Sequence, residues 1–149
     1  MAKKKAKRAA RPARRKAVRA KKVARRKPSR AGAGPTTREI GTAVAAHVNA
    51  GRPDKEIWDR FWSPKIVSVE GTGATARGRR ALEAKSREWY KLHRLHGVAA
   101  DGPWSGPGAF AIRFRVDAEV IATGERMQME EIALYTVKNG KVVREEFMY

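Results

Sequence analysis

Residues 127–149 read M-Q-M-E-E-I-A-L-Y-T-V-K-N-G-K-V-V-R-E-E-F-M-Y, and how they pair decides the fold. Asn139-Gly140 stands between two runs rich in β-branched and aromatic residues, a strong short-range signal for a β-hairpin. Side chains alternate across a strand. Met129, Glu131, Ala133, Tyr135 and Val137 therefore share one face, and Gln128, Glu130, Ile132, Leu134 and Thr136 the other. The face presented by the returning strand depends on the turn. A three-residue loop with a glycine bulge puts Val143, Glu145, Phe147 and Tyr149 with the first set, whereas a two-residue turn puts Val142, Arg144, Glu146 and Met148 there. Both faces carry large apolar side chains, so both need cover. The chain's own helices supply one cover, and a second copy of the chain is the expected other, which makes a homodimer.

Upstream, Thr36-Thr37-Arg38-Glu39 fits a capping box that opens a first helix. Ile40, Val44, His47 and Val48 fall on one stripe of it, and Gly51 suits its end. Pro53-Asp54 starts a short second helix with Ile57, Trp58, Phe61 and Trp62, which stops before Pro64. Ile66 to Glu70 reads as a strand and Gly71 to Gly78 as a turn. A third helix is expected from Arg79 to His93, with Leu82, Ser86, Trp89 and His93 on one face and His96 following in the same direction. Val98 to Trp104 is a strand broken by Gly102-Pro103, Ser105 to Gly108 is a loop, and Ala109 to Ala122 alternates as a long strand. Helix, helix, strand, helix, then only strands spells an α+β fold: a curved antiparallel sheet with three helices on its concave face, which the family resemblance given below implies is cone-shaped.

Charge divides the chain differently. Residues 1–30 hold 16 Lys and Arg and no acid, leaving 18 of the 34 basic residues against all 15 acidic ones, a net of +3 for the rest. The high isoelectric point belongs to an arm, and residues 1–35 are expected to be a disordered polybasic arm and linker. Residues 36–149 contain all four Trp, enough chain to bury a core unaided. No cysteine occurs, which excludes disulfides, thiolate metal sites and Cys nucleophiles. No apolar run approaches the roughly 18 residues of a membrane helix. No cofactor, metal or membrane partner is expected, and the reading is of a cytoplasmic protein.

The arm resembles, in composition only, the Lys/Ala/Pro-rich tails of linker histones and of some bacterial histone-like proteins. Phosphates neutralised by such a tail release counterions, giving binding that is salt-sensitive and blind to sequence. The candidate phosphate contacts are Lys3, Lys4, Lys5, Lys7 and Arg8, then Arg14, Arg15 and Lys16, then Lys21, Lys22, Arg25, Arg26 and Lys27. DNA or another polyanion is the expected partner, with nucleoid association as its consequence. An inert solubilising extension is the competing reading.

The element order of residues 36–149 resembles the nuclear transport factor 2-like superfamily. The hairpin N-G-K-V-V-R-E-E-F, the N-A-G after the first helix, the F-W-S-P before the first strand and the glycine before the third helix resemble its SnoaL-like, polyketide-cyclase-related branch. The resemblance implies a cavity between sheet and helices and dimerisation through the outer sheet face. It also implies isomerase, cyclase, dehydratase, hydrolase or purely binding roles on small organic molecules. Ketosteroid isomerase, an enzyme of this fold, has a carboxylate base at the end of the first strand, where this chain has Glu70. Its R-E-F-Y stretch matches Arg87-Glu88-Trp89-Tyr90. The two donors of its oxyanion hole fall on Val44 and Ala133, which have no proton to donate, so the ketosteroid reaction itself is not expected.

The candidate catalytic residues are Glu70, His93 and Glu131. A carboxylate in an apolar cavity has its pKa raised by desolvation, which suits proton transfer. The plainer role for Glu70 is a pair with Arg77, Arg79 or Arg80. Glu131 and Glu145 flank Ala133 on one face in the bulged register and push each other's pKa values apart; their plainer role is cross-strand pairing with Arg113, Arg115 or Arg126. His93 is either an acid/base group or a helix-end cap. Candidate pocket residues are Val44, Val48, Trp62, Trp89, Tyr90, Tyr135, Glu145, Phe147 and Tyr149, since ligand pockets are largely apolar and aromatic with few polar anchors.

Overall fold

The computed structural model describes residues 34–149. The basic arm and its thirteen candidate phosphate contacts lie outside the described residues. Helix α1 (Thr37–Asn49) opens with the expected capping box: the Glu39 amide donates to Thr36 Oγ1 at 3.2 Å and the Thr36 amide donates to Glu39 Oε2 at 2.7 Å. Its far end is tied down by Asn49, whose side-chain amide exchanges two hydrogen bonds with the backbone of Ala100, at 2.9 and 2.8 Å. The seat is close. A Cβ on Gly41 would stand 2.8 Å from Pro103 and 3.0 Å from the Phe110 ring.

Helix α2 (Asp54–Phe61) is followed at once by β1 (Trp62–Val69), the short β2 (Thr75–Arg77), helix α3 (Arg79–Leu92), and strands β3 (His93–Gly106), β4 (Ala109–Val120), β5 (Arg126–Lys138) and β6 (Lys141–Met148). The six strands form one sheet in the order β2-β1-β6-β5-β4-β3. Among the described residues three α-helices accompany it, and α1 and α3 pack on it through Ile40, Val44 and Leu82, all buried. The core is continuous from Ile40 and Leu82 through Phe110, Ile112 and Ile66 to Val142.

Four expectations change. The sheet is mixed, because β1 pairs parallel to β6 while the other neighbours are antiparallel; β2, α3 and three strands separate β1 from β6 along the chain, so no hairpin imposes an antiparallel direction on the pair. Trp62 is not helical but caps α2 and begins β1, with the Ser63-Pro64 stretch absorbed as an irregularity in the β1–β6 register. Helix α3 stops at Leu92, and His93 and His96 belong to β3, which is twice the expected length. Within β3 the Gly102-Pro103 bond is cis and lies at a break in register with β4.

The fourth change concerns the hairpin. Asn139 and Gly140 both have positive φ, 51° and 70°, and Lys138 faces Lys141 across a two-residue turn. The bulge is present but lies two residues later: Val142 and Val143 together oppose Val137, after which Thr136 faces Arg144 and Tyr135 faces Glu145. The first half of β6 thus follows the two-residue pattern, with Val142 buried, and the second half follows the bulged one, with Glu145 and Phe147 on the side of Ala133 and Tyr135.

Candidate functional site

Between the helices and the inner face of the sheet lies a cavity of about 560 Å³. Its walls are Val44 and Val48 from α1, Trp58 from α2, Leu82, Ser86 and Trp89 from α3, and Phe114, Tyr135 and Phe147 from the sheet. The apolar positions follow from period: i, i+4 on α1, i, i+3/i+4, i+7 on α3 and alternation on each strand. Tyr90 and Tyr149, both largely exposed, lie in the lining, as do Trp62, Glu70, Glu131 and Glu145. His93 does not. Its Nδ1 stands 3.0 Å from the Trp89 carbonyl and its ring stacks on Trp89 at 4.7 Å between centroids, because the chain turns into β3 there and carries it away from the stripe that would have aimed it inward.

The floor is polar. Alternation on β1 brings Ser68 and Glu70 toward the cavity, and parallel pairing sets Ser68 beside Glu145. Helix α3 adds Lys85 on the same stripe as Leu82 and Trp89. The Lys85 ammonium forms an ion pair with Glu70, donates to Ser68 Oγ at 2.8 Å, and lies 4.8 Å from the centre of the Phe147 ring. Ser68 in turn hydrogen-bonds Glu145. Glu145 is 3% exposed and accepts from the indole Nε1 of Trp62 at 2.7 Å. The Tyr149 hydroxyl donates to Glu70 Oε2 at 3.4 Å. These contacts form one chain from Tyr149 through Glu70, Lys85, Ser68 and Glu145 to Trp62. None of the arginines weighed as partners for Glu70 pairs with it; its cation is Lys85.

Glu131 stands outside this chain. Among the described residues no hydrogen bond or ion pair holds its carboxyl. Burial, followed by repulsion from Glu70 and Glu145 and opposed by Lys85, pushes its pKa up to about 7. Burial also raises Glu145, against the pull of the Trp62 and Ser68 hydrogen bonds and the Lys85 charge. At the mouth, Asp54 and Tyr90 hydrogen-bond each other. Burial raises Asp54, offset by the charge of His47 and by the Tyr90 bond, and burial together with the Asp54 charge lifts Tyr90 to about 12. The buried His47 sets its Nε2 2.9 Å from the Pro53 carbonyl and serves the start of α2. Among the described residues no cluster of His, Asp and Glu is arranged to hold a metal. A carboxyl that titrates near neutrality in a largely apolar cavity is suited to moving protons.

Sequence reasoning did not single out Lys85, Ser68 or Asp54. Lys85 was accessible from its spacing, i+3 from Leu82 and i−4 from Trp89. Ser68 was accessible from its alternation with Glu70.

The family model for the SnoaL-like domain matches residues 36–149. The chain belongs to the SnoaL-like family. A Mesorhizobium loti protein named a SnoaL-like polyketide cyclase is 36% identical, over 77% of this chain and 100% of that one, with a TM-score of 0.72. A Pseudomonas putida protein named a polyketide cyclase shares the fold at 21% identity, 78% and 92% coverage and a TM-score of 0.61. So does TerC, co-crystallised with polyporic acid, at 15% identity, 72% and 86% coverage and a TM-score of 0.57. No curated protein matches the chain.

Proposed function

We propose that residues 36–149 bind a small organic molecule in the cavity and move a proton on it, in a reaction of the isomerase or cyclase class, with Glu131 as the proton-transferring group. The observation that carries this reading is a carboxyl lining the cavity, free of protein partners among the described residues and titrating near neutrality. Similar structures are named polyketide cyclases or a ketosteroid isomerase-like fold, and that likeness supports cyclase- or isomerase-type chemistry here by analogy. Glu70 is the weaker candidate base, since Lys85 already engages it; in this reading the Lys85–Glu70 pair orients the bound molecule. The test is proton–deuterium exchange of a bicyclic ketone in D₂O followed by NMR. The expected result is exchange faster than buffer, rising with pH through about 7 as Glu131 becomes the base, and reduced on the order of 100-fold in Glu131→Gln. Equal rates in wild type and variant would falsify the assignment.

The arm supports a second, compatible activity. Sixteen positive charges in 30 residues with no acid suit sequence-independent binding to DNA or another polyanion in the cytoplasm or nucleoid, and a dimer formed on the outer sheet face would double the arms and add avidity. The full-length protein is expected to retard random duplex DNA at low salt and to lose this on removal of residues 1–35. Retardation by the shortened chain would move the site into the domain.

A further inference from the structure

The charges of the cavity do not balance. Its lining holds four carboxyl side chains, Asp54, Glu70, Glu131 and Glu145, and two cationic ones, Arg52 and Lys85. Arg52 is turned to Glu56 on the outer side of α2. Lys85 is held on three sides by Glu70, Ser68 and the Phe147 ring. Glu145 has the Trp62 indole and Asp54 the Tyr90 hydroxyl. That leaves Glu131 facing 560 Å³ of space with no protein cation assigned to it. An anionic ligand placed there would meet Glu131 and Glu145 together and would have to take Lys85 from Glu70. A neutral ligand would leave Glu131 as it is.

The apolar walls point the same way. Trp58, Trp62, Trp89, Tyr135 and Phe147 line the same cavity as that carboxyl. Aromatic faces attract alkylammonium groups through their quadrupoles, and the attraction grows when water is excluded. The protein already sets cations against two of these rings, Lys85 over Phe147 and Arg79 over Trp58. Resting on the pocket of the reading above and not on its proton transfer, we propose that the cavity selects a protonated organic amine, with Glu131 serving as the counter-ion of its ammonium group and the apolar body lying among the aromatic walls.

A proton linkage follows. Glu131 faces Glu70 at the end of β1, Lys85 on α3, Glu145 on β6 and Tyr135 on its own strand, and Phe114 of β4 stands opposite it. Arg113 and Glu130 alternate onto the other side of the sheet. The ammonium requires the ionised carboxylate, so binding releases the proton that Glu131 holds below neutrality, and affinity rises with pH through about 7.

The test is isothermal titration of the full-length chain with three matched probes: tryptamine, the alcohol tryptophol and the carboxylate indole-3-propionate. The expected result is tryptamine at least about tenfold tighter than the alcohol at pH 8, a loss of about tenfold in tryptamine affinity at pH 6, and collapse of the preference in Glu131→Gln. Charge selection by the basic arm would survive Glu131→Gln and is told apart in that way. Tryptophol or indole-3-propionate binding as tightly as tryptamine in the wild type overturns the amine assignment and leaves the pocket reading standing. Heats from none of the three overturns both. An amine preference that persists in Glu131→Gln overturns the assignment of the ammonium site.

Discussion

Consecutive residues of one strand face two different electrostatic worlds. On the outer face of the sheet ladder carboxylates pair with arginines: Asp101 takes Arg113 at 2.8 Å and Arg115 at 3.4 Å, Asp117 takes Arg126 at 2.6 Å, Glu119 takes Arg94 at 3.0 Å, and Glu146 takes Arg144. Hydrogen bonds from those arginines hold Asp101 and Asp117 below the usual carboxylate range. On the inner face Glu131 and Glu145 have no arginine, and burial holds both above that range. The fold therefore sorts acids by parity alone. On β5 the odd Glu131 lines the cavity with its carboxyl pKa raised, while the even Glu130 lies exposed on the outer face.

The sharpest break of this contrast is the same substitution at neighbouring positions. Ala133→Asp places a third carboxyl on the inner floor between Glu131 and Glu145 and is expected to cost about 3–5 kcal/mol in urea unfolding. Next, Trp62→Phe removes the indole proton from a buried carboxyl. It is expected to cost about 1–3 kcal/mol and to raise Glu145 further, read as a shift of its titration by carboxyl NMR.

Glu131→Gln sharpens the contrast through pH. The Glu131 pKa is raised in the folded state, from 4.5 to about 7, so the folded protein binds that proton more tightly than the unfolded chain. Below pH 4.5 the group costs nothing. Stability then falls as pH rises through the window and stays lower above it. The glutamine variant lacks this loss and is expected to gain on the wild type between pH 4.5 and 7 by about 1–2 kcal/mol, reduced from the full shift because the site is partly solvated. Parallel stability curves for the two proteins would place Glu131 in water.

The smallest effect on the fold itself is expected outside. Ile132→Asp and Leu134→Asp should each lower monomer stability by less than about 1 kcal/mol and, by light scattering, abolish the dimer proposed on this face. Dimers in both variants would move the interface off this face.

Much of the architecture was open to reading because its signals are local. The capping box needs four residues, the hairpin turn two, and alternation along β4 and β5 a single strand. The site was harder because each of its decisive features is non-local. Glu145 reaches the cavity only because a bulge at Val142-Val143 corrects the face that a two-residue turn would impose, and the turn residues alone do not fix where a bulge falls. The parallel β1–β6 pairing that joins Ser68 to Glu145 involves residues 77 positions apart. His93 failed for a simpler reason. A helical stripe extended by one residue past Leu92 meets a strand, and the direction of the side chain changes with it.

Gly41 touches none of the cavity's contents, yet it governs the room available to them. Any larger residue there must lift α1 off Pro103 and Phe110, and α1 carries Val44 and Val48 on its cavity side. Helix-to-sheet spacing thus acts as an adjuster of ligand size that leaves the chemistry of the floor alone. Relatives or engineered forms that differ at this one position would have a cavity of different size above the same polar floor.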